Sequence, residues 1–137
     1  MTPLVQDYWI ATRVPETGRY YIHDPGIVRL PSGGLLVAAP CLERATDDWH
    51  GVRSWQTFLS RSLDGGKTWT PLPTLPYSDA TPFVHEGVTY MFVQPAKWEN
   101  VSHVKSLDEG ETWSQPVLLF QGSYWNCHTG MVIHQNR

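Results

Sequence analysis

The sequence has no long apolar run, no block of like charge and almost no cysteine, and each shortage excludes something. The longest apolar stretches, "GGLLVAAP" and "VLLF", are strand-sized, so no membrane-spanning helix is expected. With 10 Lys+Arg against 13 Asp+Glu the formal charge is only −3. No basic stripe marks a nucleic-acid partner and no acidic tail is present. Two cysteines, Cys41 and Cys127, show no metal-ligand spacing and read as reduced thiols. A disulfide between them requires the fold to bring two strand ends together. No window of a dozen residues carries a 3.6-residue apolar period, which argues against a helical protein. The opening "MTPLVQDYWIATR" has no basic segment followed by an apolar one, so no signal peptide is visible. That places the protein in the cytoplasm unless a leader lies outside this sequence.

What is present points to β structure. Seven Trp and 11 Pro in 137 residues fit an all-β chain with many turns. Short apolar runs alternate with clusters of Gly, Pro, Asp and Ser. "GIVRL", "PSGG" and "LLVAAP" read as a hairpin, and "TFLSRS", "LDGGK" and "TWTPLP" as a second. The series then restarts, with turns at residues 85–87 and 108–111. Strands are expected near residues 26–30, 35–39, 56–61 and 68–72, and four more follow, ending near 120.

The bend closing each group is written twice. "SLDGGKTW" begins at Ser62 and "SLDEGETW" at Ser106, 44 positions later, and both read S-x-D-x-G-x-T-W. A unit of about 44 residues with four strands has the length and strand count of a propeller blade. Each residue of the octapeptide has a local task. Ser62 and Asp64 accept hydrogen bonds from turn amides, and Gly66 takes a positive φ. Thr68 returns the chain to a strand, and Trp69 packs its indole into the blade. Ser106, Asp108, Gly110, Thr112 and Trp113 repeat the set. A carboxylate occupied by turn amides is held low in pKa, which suits neither acid catalysis nor metal binding. The motif is a staple.

The chain divides into an N-terminal segment (1–19), blade one (20–75), blade two (76–121) and the first strand of a third blade (122–137). Two blades leave open edges and a bare blade face, which repeat architectures bury against neighbours. Truncation of a longer propeller is one explanation. A ring of identical chains is the other, and three copies of two blades would give a six-bladed homo-oligomer.

S-x-D-x-G-x-T-W resembles the Asp-box, or bacterial neuraminidase repeat. "DPGIVRLPSGGLLVA" is similar to the sialidase opening R-I-P-G-L-V-R-L-P-D-G-T-L-L-A-F, and "ERATDDWHG" and "SRSLDGGKTW" follow in that family's order. Residues from about 20 to 137 thus resemble the first two blades of a sialidase-like six-bladed propeller. The resemblance implies a glycan-directed protein, glycoside hydrolase or non-catalytic carbohydrate-binding module. It implies that Asp48, or else Asp47, acts as general acid/base, with Arg44 nearby. There are departures: His23 stands where the family has the first arginine of its carboxylate-binding triad, and Asp24 replaces an isoleucine. The remaining arginines and the nucleophile pair come from later blades, so true sialidase activity is not expected of this chain alone.

Blade topology places the octapeptide bends on one face with the plain turns "PSGG" and "HEG". The opposite face receives the chemistry-bearing loops "YYIHDP", "CLERATDDWHGVRSW", "PYSDAT", "PAKWEN" and "QGSYWNCHT". His23, Asp24, Arg44, Trp49, Arg53, Trp98, Trp125 and His128 are therefore the candidate substrate-binding residues, with Asp47 and Asp48 the candidate proton carriers. Aromatic rings beside carboxylates and arginines suit a polar or acidic sugar. Each residue also has a plainer reading. The histidines can be hydrogen-bonded strand ends, the tryptophans interface packing, and Asp47–Asp48 a turn cap. No spacing compels a metal site, so no metal or cofactor is expected.

Overall fold

The structure is a computed structural model that describes residues 8–45, 52–95 and 99–124. Nine strands are found there: β1 (Tyr20–Ile22), β2 (Gly26–Arg29), β3 (Leu35–Arg44), β4 (Val52–Ser62), β5 (Thr70–Leu75), β6 (Asp79–His85), β7 (Val88–Gln94), β8 (Glu99–Ser106) and β9 (Val117–Ser123). No helix occurs among the described residues, so none there is a helix long and apolar enough to cross a membrane.

The strands make two antiparallel sheets. β1 and β2 both pair with β3, followed by β4 and β5, while β6-β7-β8-β9 is a simple meander. Because β1 lies on residues 41–43 of β3 and β2 on residues 35–38, the two act as one interrupted strand. Each sheet is thus four strands wide with the strand order of a propeller blade. Prolines 71 and 73 fall on β5, the edge strand, where a missing N–H costs least.

The sheets pack face to face through one core. Leu36, Ala38, Leu59 and Leu72 of the first sheet meet Ala80, Met91, Val93 and Val104 of the second, with Trp113 packed against the cluster. Period-two alternation selects these residues: Thr89, Met91 and Val93 of β7 are buried, while Val88, Tyr90 and Phe92 face the other way. There Phe83 stacks on Tyr90 (5.3 Å) and tilts against Phe92 (4.9 Å). β6 packs on β2 and β3. This approach is tight, since a Cβ on Gly26 would lie 2.7 Å from Pro82 Cδ.

Both octapeptide turns have the same bonding. Ser62 Oγ accepts from Gly66 N (2.8 Å) and donates to Asp64 Oδ1 (2.8 Å). Asp64 in turn accepts the Thr68 amide (2.9 Å) and hydroxyl (2.7 Å). Trp69 Nε1 donates to Gly66 O (2.8 Å). Ser106, Asp108, Gly110, Thr112 and Trp113 repeat every bond. These bonds hold the pKa of Asp64 down to about 2, chiefly through the Thr68 amide and hydroxyl, and that of Asp108 to about 2 through Thr112. Two details differ from the sequence reading. Thr68 ends in the turn, with β5 starting at Thr70. Trp69, unlike Trp113, lies outside the shared core and lines a cleft of about 520 Å³ beside Ile10 and Arg13.

Candidate functional site

The two ends of the strands are chemically unlike. At one end the turn after β2 meets the second octapeptide turn: Glu109 accepts bonds from Ser32 N (2.7 Å) and Ser32 Oγ (2.8 Å). The hairpin turn and the octapeptide turn therefore share a face, as the topology requires. His23, Asp24, Arg44 and Asp79 fall at the other end of the strands they border.

His23 and Asp24 arise from a break in the inner strand. Between Ile22↔Cys41 and Gly26↔Ala38, three residues of one strand oppose two of the other, which is a β-bulge. The ladder is interrupted where Pro25 and Pro40 have no N–H to donate. One bond remains, His23 N to Pro40 O (3.0 Å). Asp24 takes φ +40°, in the left-handed region that aspartate tolerates better than most residues. The Trp55 ring meets the His23 imidazole edge-on at 5.7 Å and 86°.

Asp79, the first residue of β6, completes a cluster. Its Oδ1 is 3.9 Å from His23 Nδ1, and Asp24 Oδ2 is 3.3 Å from the same nitrogen. Asp79 is only 4% exposed, and neither its Oδ2 nor His23 Nε2 has a hydrogen-bond partner among the described residues. Burial pushes the Asp79 pKa up to about 6; His23 opposes the rise and Asp24 adds to it. The sequence places "PYSDAT" among the loops of this face but does not single out Asp79 within it. Only its alignment with the other inner strand would have raised it.

Arg44 ends β3 at a register shift. Its guanidinium lies over the Tyr21 ring, 5.8 Å from the centroid. The neighbouring Glu43 is buried and committed to structure: it accepts Arg19 Nε (2.9 Å), Arg19 Nη2 (2.6 Å) and Ser54 Oγ (2.9 Å). Of the other candidates, Asp47, Asp48, Trp49, Trp98, Trp125 and His128 lie outside the described residues, as does the side chain of Arg53. The Cys41 thiol is free and buried, and desolvation raises its pKa to about 11. Cys127 also lies outside the described residues.

Strand order and pairing define an all-β protein of two blade-like sheets, with a polar cluster where their inner strands begin. No protein-family model matches the sequence, and no curated protein matches it. Among solved structures the chain is similar to the Hadza microbial sialidase Hz136, with TM-score 0.34 and 13% identity over 72% of this chain. The chain spans 34% of that sialidase's length. So distant a likeness adds nothing to the fold read from strand pairing.

Proposed function

We propose that this is a carbohydrate-directed protein with sialidase-like propeller blades, whose two octapeptide turns are Asp-boxes and whose ligand site is the face opposite them. One observation carries the reading: His23, Asp24 and Asp79 form a partly buried polar cluster with unsatisfied atoms at the strand ends opposite the octapeptide turns. A hydroxyl-rich ligand supplies donors and acceptors to such groups. Arg44 and Arg53 would hold an anionic substituent. Trp49, Trp98 and Trp125 would stack on the sugar faces, with His128 beside them. Asp48, or Asp47, would act as proton carrier if the protein turns its ligand over. Without that step the same rim serves as a binding module.

The exposed apolar side chains of β9, Val117 to Phe120, support a ring needing further blades. We assign them to contacts completing a propeller, from further chain or identical copies. A solution mass of three chains by light scattering supports closure by copies, and a stable monomer removes it.

The ligand is tested on an array of sialylated, uronic and neutral glycans. Binding to acidic glycans is expected, weakened about tenfold or more by Arg44→Ala. Blank results across all three classes sink the proposal. If a hydrolysis is found and Asp48→Asn leaves its rate unchanged, the catalytic form is excluded and the binding form stands.

A further inference from the structure

We infer that His23, Asp24 and Asp79 form a binding site for a divalent transition-metal ion of the zinc or manganese type. The inference does not rest on the carbohydrate reading. Three potential ligand atoms, one from each residue, lie within 4.8 Å of one another. The separations of His23 Nδ1 from the two carboxylates, 3.3 and 3.9 Å, suit donors sharing a metal at about 2.0–2.2 Å.

A second observation comes from what the cluster lacks. Asp79 is 4% exposed and points a carboxylate oxygen at His23 from 3.9 Å, yet its Oδ2 has no partner among the described residues. Burying a carboxylate without hydrogen bonds or a counter-ion is costly. Asp24 and Asp79 share one ion-pairing partner among the described residues, the His23 imidazole. Two carboxylates and a neutral imidazole carry a charge of −2, which one divalent cation cancels.

Ligand chemistry narrows the ion. Calcium takes six to eight oxygens and has no preference for imidazole, whereas one nitrogen and two carboxylates suit zinc or manganese. The frame is closely packed: the inner strands approach tightly at Gly26 and Pro82, the bulge sets His23 beside Asp24, and the Trp55 ring lies edge-on to the imidazole. Three protein ligands leave coordination positions open to water or a ligand.

The test uses the full chain without a histidine tag, stripped by chelator and titrated calorimetrically with Zn²⁺, Mn²⁺ and Ca²⁺ in turn. One Zn²⁺ or Mn²⁺ per chain is expected, with weaker or no Ca²⁺ binding, and the bound ion should raise Tm. Asp79→Asn and Asp24→Asn should each weaken binding by about 100-fold or more, while His103→Gln should leave it intact. Asp24 is part-exposed, so Asp24→Asn decides the matter if Asp79→Asn fails to fold. The inference is overturned if folded wild-type protein binds neither Zn²⁺ nor Mn²⁺ stoichiometrically, or if Asp24→Asn binds like wild type. A blank glycan array alongside intact metal binding removes the carbohydrate reading and leaves this one.

Discussion

Glu109 grips Ser32 with both carboxylate oxygens, one on the amide at 2.7 Å and one on the hydroxyl at 2.8 Å, and so ties the second sheet's octapeptide turn to the first sheet's hairpin. In the first octapeptide the same position is Gly65, and both residues have positive φ, +75° for Gly65 and +56° for Glu109. The second copy tolerates backbone strain that glycine would relieve, and the contact across the sheets offsets it. The next two positions strengthen the joint. Gly110 lies against Leu36 and Leu72, and Glu111 pairs with Arg61 at 2.5 Å.

Two substitutions separate contact from strain. Glu109→Ala loses the grip and keeps the left-handed backbone, and should destabilise by about 1–2 kcal/mol. Glu109→Gly loses the same contact but relieves the strain, so it should be the more stable variant, by roughly 0.5–1 kcal/mol. Urea unfolding of both variants measures the difference. Equal midpoints would mean that the strain is negligible.

Acid should weaken the octapeptide turns. Asp64 and Asp108 titrate at about 2 in the fold, against an ordinary 3.8. Both are depressed, so their ionised forms stabilise the fold above pH 3.8, and that contribution disappears as pH falls toward 2. The double variant Asp64→Asn/Asp108→Asn should melt below wild type at neutral pH, with the gap closing between pH 4 and 2. A gap of constant size across that range would show that charge is not what the turns use.

The sheets were legible because their punctuation is local. "PSGG" between two apolar runs is a turn whatever surrounds it, and S-x-D-x-G-x-T-W closes on itself through bonds spanning at most four positions. The far ends of the strands were not. Strand β3 was expected to stop near residue 39 but runs to Arg44, because Glu43 is neutralised there by Arg19, 24 positions away. The bulge at residues 23–25 looks like an ordinary loop until Cys41 and Ala38 are seen to pair on either side of it. The candidate site was half legible. His23 and Asp24 stood out by their chemistry, but Asp79 reaches them only through packing of one sheet on the other, which no local pattern records.

Cys41 should be chemically silent in the native state. Its thiol is buried and its pKa is raised to about 11, mainly by desolvation, so the reactive thiolate is scarce at neutral pH. Alkylation at pH 7.5 followed by peptide-level mass mapping should leave Cys41 unmodified until denaturant is added. Rapid native labelling would place this part of β3 in contact with solvent.

The contact most open to disruption is Gly26 against Pro82. A Cβ added to Gly26 would sit 2.7 Å from Pro82 Cδ. Because that ring is closed onto the β6 backbone, it cannot rotate away, and strand β2 or β6 must move. Gly26→Ala should therefore destabilise by about 1–3 kcal/mol, although Gly26 has no positive φ that would penalise alanine by itself. The displacement falls between His23–Asp24 and Asp79, so any ion held there should bind about tenfold or more weakly, even in folded protein. Gly33→Ala is the comparison. Its backbone is strained at φ +91° but a Cβ there meets nothing within 4 Å, so it should lose stability through strain and leave ion affinity unchanged. If calorimetry finds the two variants binding Zn²⁺ equally well, the spacing of the inner strands does not set the geometry of the cluster.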